Sequence, residues 1–355
     1  MIKNLWRRRQ HISSSQIIIL GFLAVILLGS FLLMLPCATR ESGGTSFLDA
    51  LFTSVSATCV TGLVVYDTAT HWSIFGQIVI LLLIQIGGMG VITVAVAITA
   101  ISGKKIGLMQ RSTMQEAISA QNVGGIVRLT GFIIKITVLV ELIGALLMMP
   151  VFCREFGPWK GCWYAVFHSV SAFCNAGFDL MGVKSPCSSL TDYSSNPLIN
   201  VVIMALIIIG GIGFLTWEDI KHHGVHIRKY RMQSKVILFT TVVLLVFPIC
   251  FYYFYEFSMP NWGNMTAKEK IWSSLFQAVA PRTAGFNSVD LSLVSEPGQL
   301  MTIVLMLIGG APGSTAGGMK MTTIAVLFLA MLSTFRRKED VNCFGRRITE
   351  NVIKN

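Results

Sequence analysis

The stretch Ser54-Val-Ser-Ala-Thr-Cys-Val-Thr-Gly62 is followed 115 residues later by Ser169-Val-Ser-Ala-Phe-Cys-Asn-Ala-Gly177. A third copy overlaps the second, because Ala172-Phe-Cys-Asn-Ala-Gly-Phe178 returns 108 residues on as Ala280-Pro-Arg-Thr-Ala-Gly-Phe286. After each copy the chain carries two adjacent glycines, which are Gly87-Gly88, Gly210-Gly211 and Gly309-Gly310. Self-similarity of this kind indicates an architecture built from equivalent units. The sequence therefore predicts three structural repeats.

A short apolar segment runs into each repeated stretch, and a glycine-containing turn follows it. The three segments are Phe47–Ala57, Cys162–Phe173 and Ile271–Val279. Apolar segments of this length are too short to cross a bilayer and are typical of re-entrant or buried helices. Irregular backbone at membrane depth is tolerated only where it is buried in protein or lines a watery cavity. Three such turns are expected to meet on one axis.

The composition of the turns indicates which chemistry they could offer. Neither Thr58–Leu63 nor Phe173–Phe178 contains an acidic residue, which favours a ring of backbone carbonyls over a ring of carboxylates as ligands for a cation. We interpret Gly62, Gly177 and Gly285 as the residues that let the carbonyls turn inward, since glycine reaches positive φ freely. For the adjacent glycine pairs, close helix packing is the preferred interpretation.

Outside the repeated stretches the chain is strongly apolar. Of the 355 residues, 53% are hydrophobic and 13% are charged, with a mean hydropathy of +0.67. A soluble domain carries about 25% charged residues, so a cytosolic enzyme and a nucleic-acid-binding domain are excluded as the main body. Six spans are predicted: Gln16–Pro36, Ser73–Ile101, Ile126–Val151, Pro197–Trp217, Val236–Phe254 and Leu300–Ser333. The third span contains Lys135 and Glu141, for which we favour a structural role.

The positions of Lys and Arg predict the orientation, because membrane proteins concentrate these residues on the cytoplasmic side. The N-terminus and the segments 102–128, 218–235 and beyond Thr334 hold 19 of them, whereas the alternate segments 38–72, 152–196 and 255–299 hold 7. Both termini are therefore predicted to be cytoplasmic. The formal net charge of +11 follows from this topology, without a nucleic acid as partner.

The sixth span is interrupted by a glycine-rich run. Proline in a helix interior costs about 3 kcal/mol and each glycine about 1 kcal/mol, so a break is predicted, and a loop at this depth is interpreted as a gate. Phosphate binding is not favoured, because the run lacks the sequence of a Walker motif. For Lys320 two readings stay open, a functional charge or snorkelling to the cytoplasmic interface. The residues of the expected gate are Gly309, Gly310, Ala311, Pro312, Gly313, Ser314, Thr315, Ala316, Gly317, Gly318 and Lys320.

At these residues the chain resembles the Trk/Ktr/HKT family of potassium transporters, in particular the membrane subunit of Ktr-type systems. The resemblance rests on Ala57-Thr-Cys-Val-Thr-Gly-Leu63, Phe173-Cys-Asn-Ala-Gly-Phe178, Pro281-Arg-Thr-Ala-Gly-Phe-Asn287 and Gly310-Ala-Pro-Gly-Ser-Thr-Ala-Gly-Gly-Met-Lys320, and it extends over nearly the whole chain. Gln85-Ile-Gly-Gly-Met-Gly90 and Gly103-Lys-Lys-Ile-Gly-Leu108 also fit.

The resemblance implies an all-α integral membrane protein with repeated span, pore-helix, span units around a pseudo-symmetric ion pore. It implies potassium uptake across the bacterial cytoplasmic membrane, a homodimer in membrane lipid and a cytosolic ring of nucleotide-binding regulatory subunits. Glycine at all three key filter positions goes with potassium in this family. No cofactor is expected in this chain; potassium is the transported ion, and sodium is a candidate coupling ion. The implied filter residues are Cys59, Val60, Thr61, Gly62, Cys174, Asn175, Ala176, Gly177, Arg282, Thr283, Ala284 and Gly285.

One departure from the family pattern concerns the number of repeats, which is four in the family and three here. The expected organisation is a cytoplasmic N-terminus at 1–14, repeat 1 at 15–111, repeat 2 at 112–230, repeat 3 at 231–335, and a cytoplasmic tail at 336–355 that leads to an absent fourth repeat. Without that repeat, one side of the filter is expected to be open, and we favour truncation over a subunit that is completed by something else. The alternatives left open are a non-conducting fragment and a sodium-translocating relative.

Two other classes of site are not favoured by the sequence. An enzyme would have to use His168, Asp179 or Asp192 near the outer face, but no nucleophile and base are recognisable, and we expect His168 to have a buried polar role. The eight cysteines show no zinc-ligand spacing, so no resident metal is predicted. Cys153, Cys162 and Cys187 lie in predicted external segments, where a disulfide is not the favoured reading.

Overall fold

The structure is a computed structural model of the chain and describes residues 13–41, 43–102, 107–118, 125–185, 188–263, 265–337 and 340–348. In the described part, the regular secondary structure is helical except for one short hairpin. The predicted all-α class is confirmed, with the hairpin as an addition. The helices are α1 (Ser14–Leu33), α2 (Phe47–Thr58), α3 (Thr68–His71), α4 (Ile74–Met89), α5 (Val91–Ile101), α6 (Leu108–Ala117), α7 (Ile126–Phe156), α8 (Pro158–Phe173), α9 (Pro197–Gly211), α10 (Phe214–His223), α11 (Met232–Phe254), α12 (Ala267–Val279), α13 (Glu296–Leu307) and α14 (Met321–Phe335). The hairpin pairs β1 (Val341–Cys343) with β2 (Arg346–Ile348).

The three short apolar segments form helices α2, α8 and α12, and local sequence explains where each begins. The Ser46 side chain accepts a hydrogen bond from the backbone N–H of Asp49 at the start of α2. Thr266 and Glu269 form a capping box at the start of α12, and Pro158 occupies the first turn of α8. Capping side chains satisfy backbone N–H groups that have no partner within the helix, and proline suits the first helical position.

Three helices are single segments that are long and apolar enough to cross a membrane. They are α1, α7 and the helix that begins at Met232. Their outward faces are apolar, as Leu146 on α7 and Phe247 on α11 illustrate with exposed fractions of 61% and 64%. Exposed apolar surface of this extent suits contact with lipid rather than water.

The second and fourth predicted spans are not continuous helices, which corrects the sequence-based prediction. The α4–α5 pair bends by 94° and the α9–α10 pair by 96°. The bends lie at Gly90 and Gly213, whose φ angles are +84° and +91°. Only glycine adopts this conformation without steric cost, and an apolar run that continues through the glycine hides the bend from a hydropathy scan. Counting each bent pair as one span gives up to five candidate spans in the described residues.

The first two repeats are built by the same contacts. The Ser54 hydroxyl donates to the Ile26 carbonyl oxygen at 2.7 Å, and the equivalent Ser169 hydroxyl donates to the Glu141 carbonyl oxygen at 2.6 Å. These bonds attach the re-entrant helices α2 and α8 to the spans that precede them, α1 and α7. Gly29 and Gly144, three residues after the acceptors, leave room for the two serine side chains.

The sixth predicted span is broken as expected, into α13 and α14, with the glycine-rich loop at 308–320 between them. The short hairpin that follows was not predicted. Val341 and Cys343 pack with Val236 at the start of α11 and with side chains of α14. A two-stranded hairpin is marginal alone, so this contact with the helices is what stabilises it.

Candidate ion filter and gate

The residues expected to form a filter lie in three turns, which are Cys59–Gly62, Cys174–Gly177 and Arg282–Gly285, called here the first, second and third glycine turns. Each turn follows the C-terminal end of a re-entrant helix, α2, α8 or α12. In each one, φ is positive at the second and fourth residues. The positive angles are +58° and +76° at Val60 and Gly62, +56° and +71° at Asn175 and Gly177, and +67° and +76° at Thr283 and Gly285.

This alternation of φ has a consequence for the peptide groups. Successive residues in the right- and left-handed regions align their N–H groups on one side of the chain and their carbonyls on the other. The left-handed region costs roughly 1–2 kcal/mol for a residue other than glycine, and Val60 and Thr283 are β-branched. Strain of this kind persists only where the surroundings enforce it, and it is concentrated at functional sites.

Hydrogen bonds to the re-entrant helices hold the turns in this shape. The backbone N–H of Thr61 donates to Ser56 O at 2.9 Å, and the equivalent N–H of Ala176 donates to Ser171 O at 2.8 Å. The hydroxyls of the same two serines donate to the carbonyl oxygens of Leu63 and Phe178 at 2.7 Å and 2.6 Å. The N–H groups are thus turned back toward the helix. The third turn has Val279 in place of this serine.

The second turn is in direct contact with both the first and the third. A Cβ built on Gly62 would lie 2.7 Å from Ala176 O, and one on Gly177 would lie 2.8 Å from both Ala284 O and the Cα of Gly285. Distances below 3.0 Å do not occur for real Cβ atoms, so an alanine cannot be accommodated without displacing backbone. The three glycines are therefore required by the close approach as well as by their positive φ.

The surroundings of the three turns differ. Every residue of the second turn is buried, whereas Cys59 and Thr61 of the first turn and Gly285 of the third are exposed. The first and third turns face a common cavity of about 590 Å³, which extends to Gln277, Asn287, Thr302, Met306, Gly317 and Gly318. This cavity lies between the first and third turns.

The first residue of each turn has a different environment. Cys59 is exposed. Cys174 is fully buried, with its sulfur 3.9 Å from Gln85 Oε1 and 4.0 Å from Glu141 Oε1. Arg282 is 5% exposed, and its Nη2 atom donates to Met321 Sδ at 3.7 Å, whereas its Nε atom has no hydrogen-bond partner among the described residues.

Backbone hydrogen bonds join the two ends of the glycine-rich loop. Gly309 N donates to Met319 O at 3.0 Å, Met319 N donates to Leu307 O at 3.1 Å, and Gly310 N donates to Gly317 O at 3.3 Å. A Cβ on Gly309 would lie 1.7 Å from Gly317 O. The expected gate is therefore a compact folded loop rather than an extended one.

The loop is also attached to the break in the fourth span and to the turns. Ala311 N and Thr315 N donate to Gly211 O and Gly210 O at 2.9 Å and 3.3 Å. The Thr315 hydroxyl donates to Phe173 O, the last residue of α8, at 2.9 Å. Gly317 N donates to the Thr283 hydroxyl of the third turn at 3.2 Å. These contacts bring the expected gate directly against the expected filter.

Lys320 contacts the glycine-rich loop. Its Nζ atom donates to Ala316 O at 2.9 Å, and the side chain is partly buried. The ammonium group thus closes the end of the loop, and its role as a functional charge or as a snorkelling side chain stays a prediction.

The adjacent glycine pairs have the packing role that the sequence favoured. A Cβ on Gly87 would lie 2.0 Å from Thr58 O, and one on Gly210 would lie 2.0 Å from Phe173 O. Both glycines let a second span of a repeat lie against the C-terminal end of a re-entrant helix. Gly88 does the same for the Cys174 side chain, whose Sγ atom would be 2.6 Å from a Cβ.

The residues considered for an enzyme have structural partners. His168 is fully buried; Leu180 N donates to its Nε2 at 3.3 Å, and its Nδ1 lies 2.7 Å from Tyr164 O. It joins α8 to the loop after the second turn. Asp179 Oδ1 accepts a hydrogen bond from Met181 N at 2.9 Å, and Asp192 lies 4.0 Å from Lys184 Nζ. Within the described ranges no group of three or more His, Cys, Asp and Glu residues is arranged to hold a metal ion.

Two features of the site were missed by sequence reasoning. The Asn175 side chain is 1% exposed, and neither its Nδ2 nor its Oδ1 atom has a hydrogen-bond partner within the described part of the chain. The contact between Glu141 and the second turn was also missed, because it joins residues far apart in the sequence. The sequence does distinguish Asn175, because it has a polar amide at the position where the other two repeats have Val60 and Thr283.

Comparisons with known proteins show the family of this chain. The profile of the TrkH family, described as a cation transport protein, matches residues 5–355. The chain belongs to the TrkH cation transport family. As a TrkH-family member it is an integral membrane protein of a transporter family.

Among relatives of this TrkH-family chain, the potassium/sodium uptake protein NtpJ of Enterococcus hirae is 40% identical over 347 residues, covering 98% of this chain and 76% of the relative. The Ktr system potassium uptake protein B of Bacillus subtilis is 39% identical, covering 95% and 74%. The crystal structure of the potassium transporter TrkH from Vibrio parahaemolyticus matches with a TM-score of 0.70 at 22% identity, covering 98% of this chain and 69% of that one. The structural match supports the fold.

Proposed function

We propose that this chain is a potassium-translocating subunit in which backbone carbonyls of the three glycine turns form the selectivity filter. The observation that carries the proposal is the repeated alternation of φ in turns that touch one another at Gly62, Gly177 and Gly285. Carbonyl rings of this kind replace the hydration shell of a potassium ion. The family match and relatives named as potassium uptake proteins support the choice of ion.

The glycine-rich loop is proposed as the gate, in its closed state. Its support is the set of hydrogen bonds that hold it between the broken fourth span and the turns. Irregular backbone at membrane depth can change conformation where it lines a cavity. Opening would require release of the bonds to Gly210, Gly211 and Phe173.

The proposed topology has both termini on the cytoplasmic side of a bacterial membrane. It is supported by the excess of Lys and Arg in alternate segments. Contacts agree with one common side for those segments, since Ser15 Oγ donates to Glu116 Oε1 at 2.9 Å and Val341 packs near Val236. The segments predicted on the other side also meet, as in the bond from Leu190 N to Asn287 O at 2.8 Å.

The proposed assembly is a homodimer in lipid with a cytosolic ring of nucleotide-binding subunits. It is supported by the similarity to a protein named as one component of a Ktr system. The chain itself is proposed to hold no cofactor, with potassium as cargo and sodium as the candidate coupling ion, since one relative is named for both ions.

The test is tracer rubidium uptake and growth on low potassium, in a bacterium that lacks its own potassium uptake systems and expresses this chain. Membrane insertion is checked by immunoblot. Uptake that exceeds the vector control and is competed by potassium supports the proposal. Competition by sodium alone would favour the sodium-translocating alternative, and a well-inserted chain without uptake would favour the non-conducting one.

A further inference from the structure

A polar cluster contacts the first residue of the second glycine turn from α4 and α7. It consists of Gln85 on α4, Glu141 on α7 and Cys174 at the start of the turn. Gln85 Nε2 donates to Glu141 Oε2 at 3.3 Å, and the Cys174 thiol lies 4.0 Å from Glu141 Oε1 and 3.9 Å from Gln85 Oε1. The Glu141 residue is 7% exposed.

Burying a carboxyl group at membrane depth costs free energy unless a partner compensates for it. Lys135, the other charged residue on this span, is exposed and is not that partner. Among the ion pairs of the described residues, none includes Glu141. A purely structural helix contact could use an apolar side chain at lower cost.

The repeats provide an internal comparison for this position. The residue equivalent to Glu141 is Ile26 in the first repeat and Ile249 in the third. Ile26 and Glu141 accept the same backbone bond from a serine of the re-entrant helix. The backbone role therefore needs no carboxyl, and the side chain of Glu141 has a separate role.

The carboxyl acts where several elements meet. Cys174 is the C-cap of α8 and the first residue of the second turn. Gly88 closes one side of its sulfur, while Gln85 and Glu141 contact it from α4 and α7. By contrast, the equivalent Cys59 of the first turn is exposed. The first residue of the second turn is thus held by side chains of two repeats, Gln85 on α4 of the first and Glu141 on α7 of the second.

We propose that Glu141 is a positioning residue for the second glycine turn, which it holds through Cys174 together with Gln85, and that it thereby sets discrimination between potassium and sodium. This inference rests on the proposed function. A ring of carbonyls separates the two ions through ligand positions and field strength, and both change if one turn shifts or loses a carboxyl behind it.

The test compares Glu141→Gln with wild type and with Glu256→Gln. Glutamine keeps the shape of the side chain but cannot carry a charge. Glu256 is the matched control because it is also buried, but its carboxyl accepts hydrogen bonds from Trp262 and Ser295 instead of contacting a glycine turn. Rubidium uptake is measured with potassium or sodium as competitor, and thermal unfolding of the purified chain is followed in potassium and in sodium.

For Glu141→Gln we expect the ratio of the potassium to the sodium inhibition constant to move about fivefold toward unity, the typical effect of one hydrogen bond. The extra thermal protection by potassium over sodium should shrink, while Glu256→Gln keeps both values. A wild-type ratio in Glu141→Gln, or an equal change in Glu256→Gln, would overturn the inference. A wild-type chain without any response to potassium would overturn the proposed function as well.

A second variant keeps the test valid if Glu141→Gln does not insert. Gln85→Leu removes the donor to the carboxyl and leaves Glu141 in place. The same loss of discrimination is expected, because Cys174 loses one of its two polar neighbours. Unchanged discrimination in an inserted Gln85→Leu chain would also overturn the inference.

Discussion

The hydroxyl of Thr315 donates a hydrogen bond of 2.9 Å to the carbonyl oxygen of Phe173, which joins the glycine-rich loop to the end of the second re-entrant helix. Phe173 immediately precedes the second glycine turn. This bond therefore links the element proposed to move with the element proposed to select.

Thr315→Val is expected to raise rubidium uptake, because valine keeps the branched shape but removes the hydroxyl. One hydrogen bond contributes about 1 kcal/mol, which corresponds to about a fivefold shift toward the open loop. The measurement is initial uptake normalised to inserted protein. Ser314→Ala is the matched control, since the Ser314 hydroxyl donates to Ala311 O inside the loop. Reduced uptake in Thr315→Val would contradict a gating role for the bond.

Deletion of Pro312–Gly317 removes most of the loop and is expected to raise the flux further than Thr315→Val does. The deletion also removes the bonds of the loop to Gly210 and the third turn. Uptake is compared at equal membrane expression. Flux that is unchanged or lower would count against the loop as a barrier.

Gly177→Ala is expected to reduce uptake to the background of the vector control. The new Cβ would lie 2.8 Å from the backbone of the third turn, at a residue with φ of +71°. Gly131→Ala is the matched control, because a Cβ on Gly131 of α7 meets no atom within 4 Å. Retained uptake in Gly177→Ala, with normal insertion, would mean that this turn does not shape the filter.

Cys59 should react with a charged thiosulfonate reagent, and the reaction should block uptake. Its side chain is exposed to the cavity of about 590 Å³ between the first and third turns, whereas Cys174 is fully buried. Mass spectrometry after labelling locates the modified thiol. Cys59→Ser should make uptake insensitive to the reagent, and inhibition that persists in this variant would assign the effect to another cysteine.

Asp179, in the loop after the second glycine turn, predicts a pH dependence of stability. Burial raises the pKa of its carboxyl from 3.8 to about 6, with a further contribution from Asp67, while the bond from Met181 opposes the shift. The folded chain then binds this proton more tightly than the unfolded chain, so stability falls as the pH rises from about 4 to about 6.

In thermal unfolding measured over that pH range, Asp179→Asn should remove this part of the slope and be more stable than wild type above pH 6. Asp290→Asn is the control. Hydrogen bonds from Ser292 lower the pKa of Asp290, so its effect on stability lies at more acidic pH. Equal slopes in wild type and Asp179→Asn would contradict the assignment.

Much of the fold could be predicted from the sequence, because apolar length and the repeated turns are local signals. Helices α1, α7 and α11 coincide with predicted apolar runs. Helices α2, α8 and α12 end shortly before the glycines of the three turns. The bends at Gly90 and Gly213 were missed, since hydropathy does not report the sign of φ. The hairpin at Val341 was missed because its stability comes from packing on α11 and α14.

The site was predictable to a lesser degree. The residues of the turns and the loop could be chosen from glycine spacing, but their mutual contacts depend on tertiary packing. Gln85, Glu141 and Cys174 meet across a repeat boundary, and no periodicity relates their positions. The same limit applies to the Thr315 bond to Phe173, whose partners are 142 residues apart.

The first position of the three turns is occupied by Cys59, Cys174 and Arg282, on backbones of the same shape. In a pore assembled from identical subunits, one substitution changes every copy of the turn at once. Here each turn is encoded separately, so a substitution alters one of the three turns of the proposed filter and leaves the sequence of the other two unchanged. Natural variation can therefore adjust permeation in small asymmetric steps, and chimeras that exchange one turn at a time can measure each step.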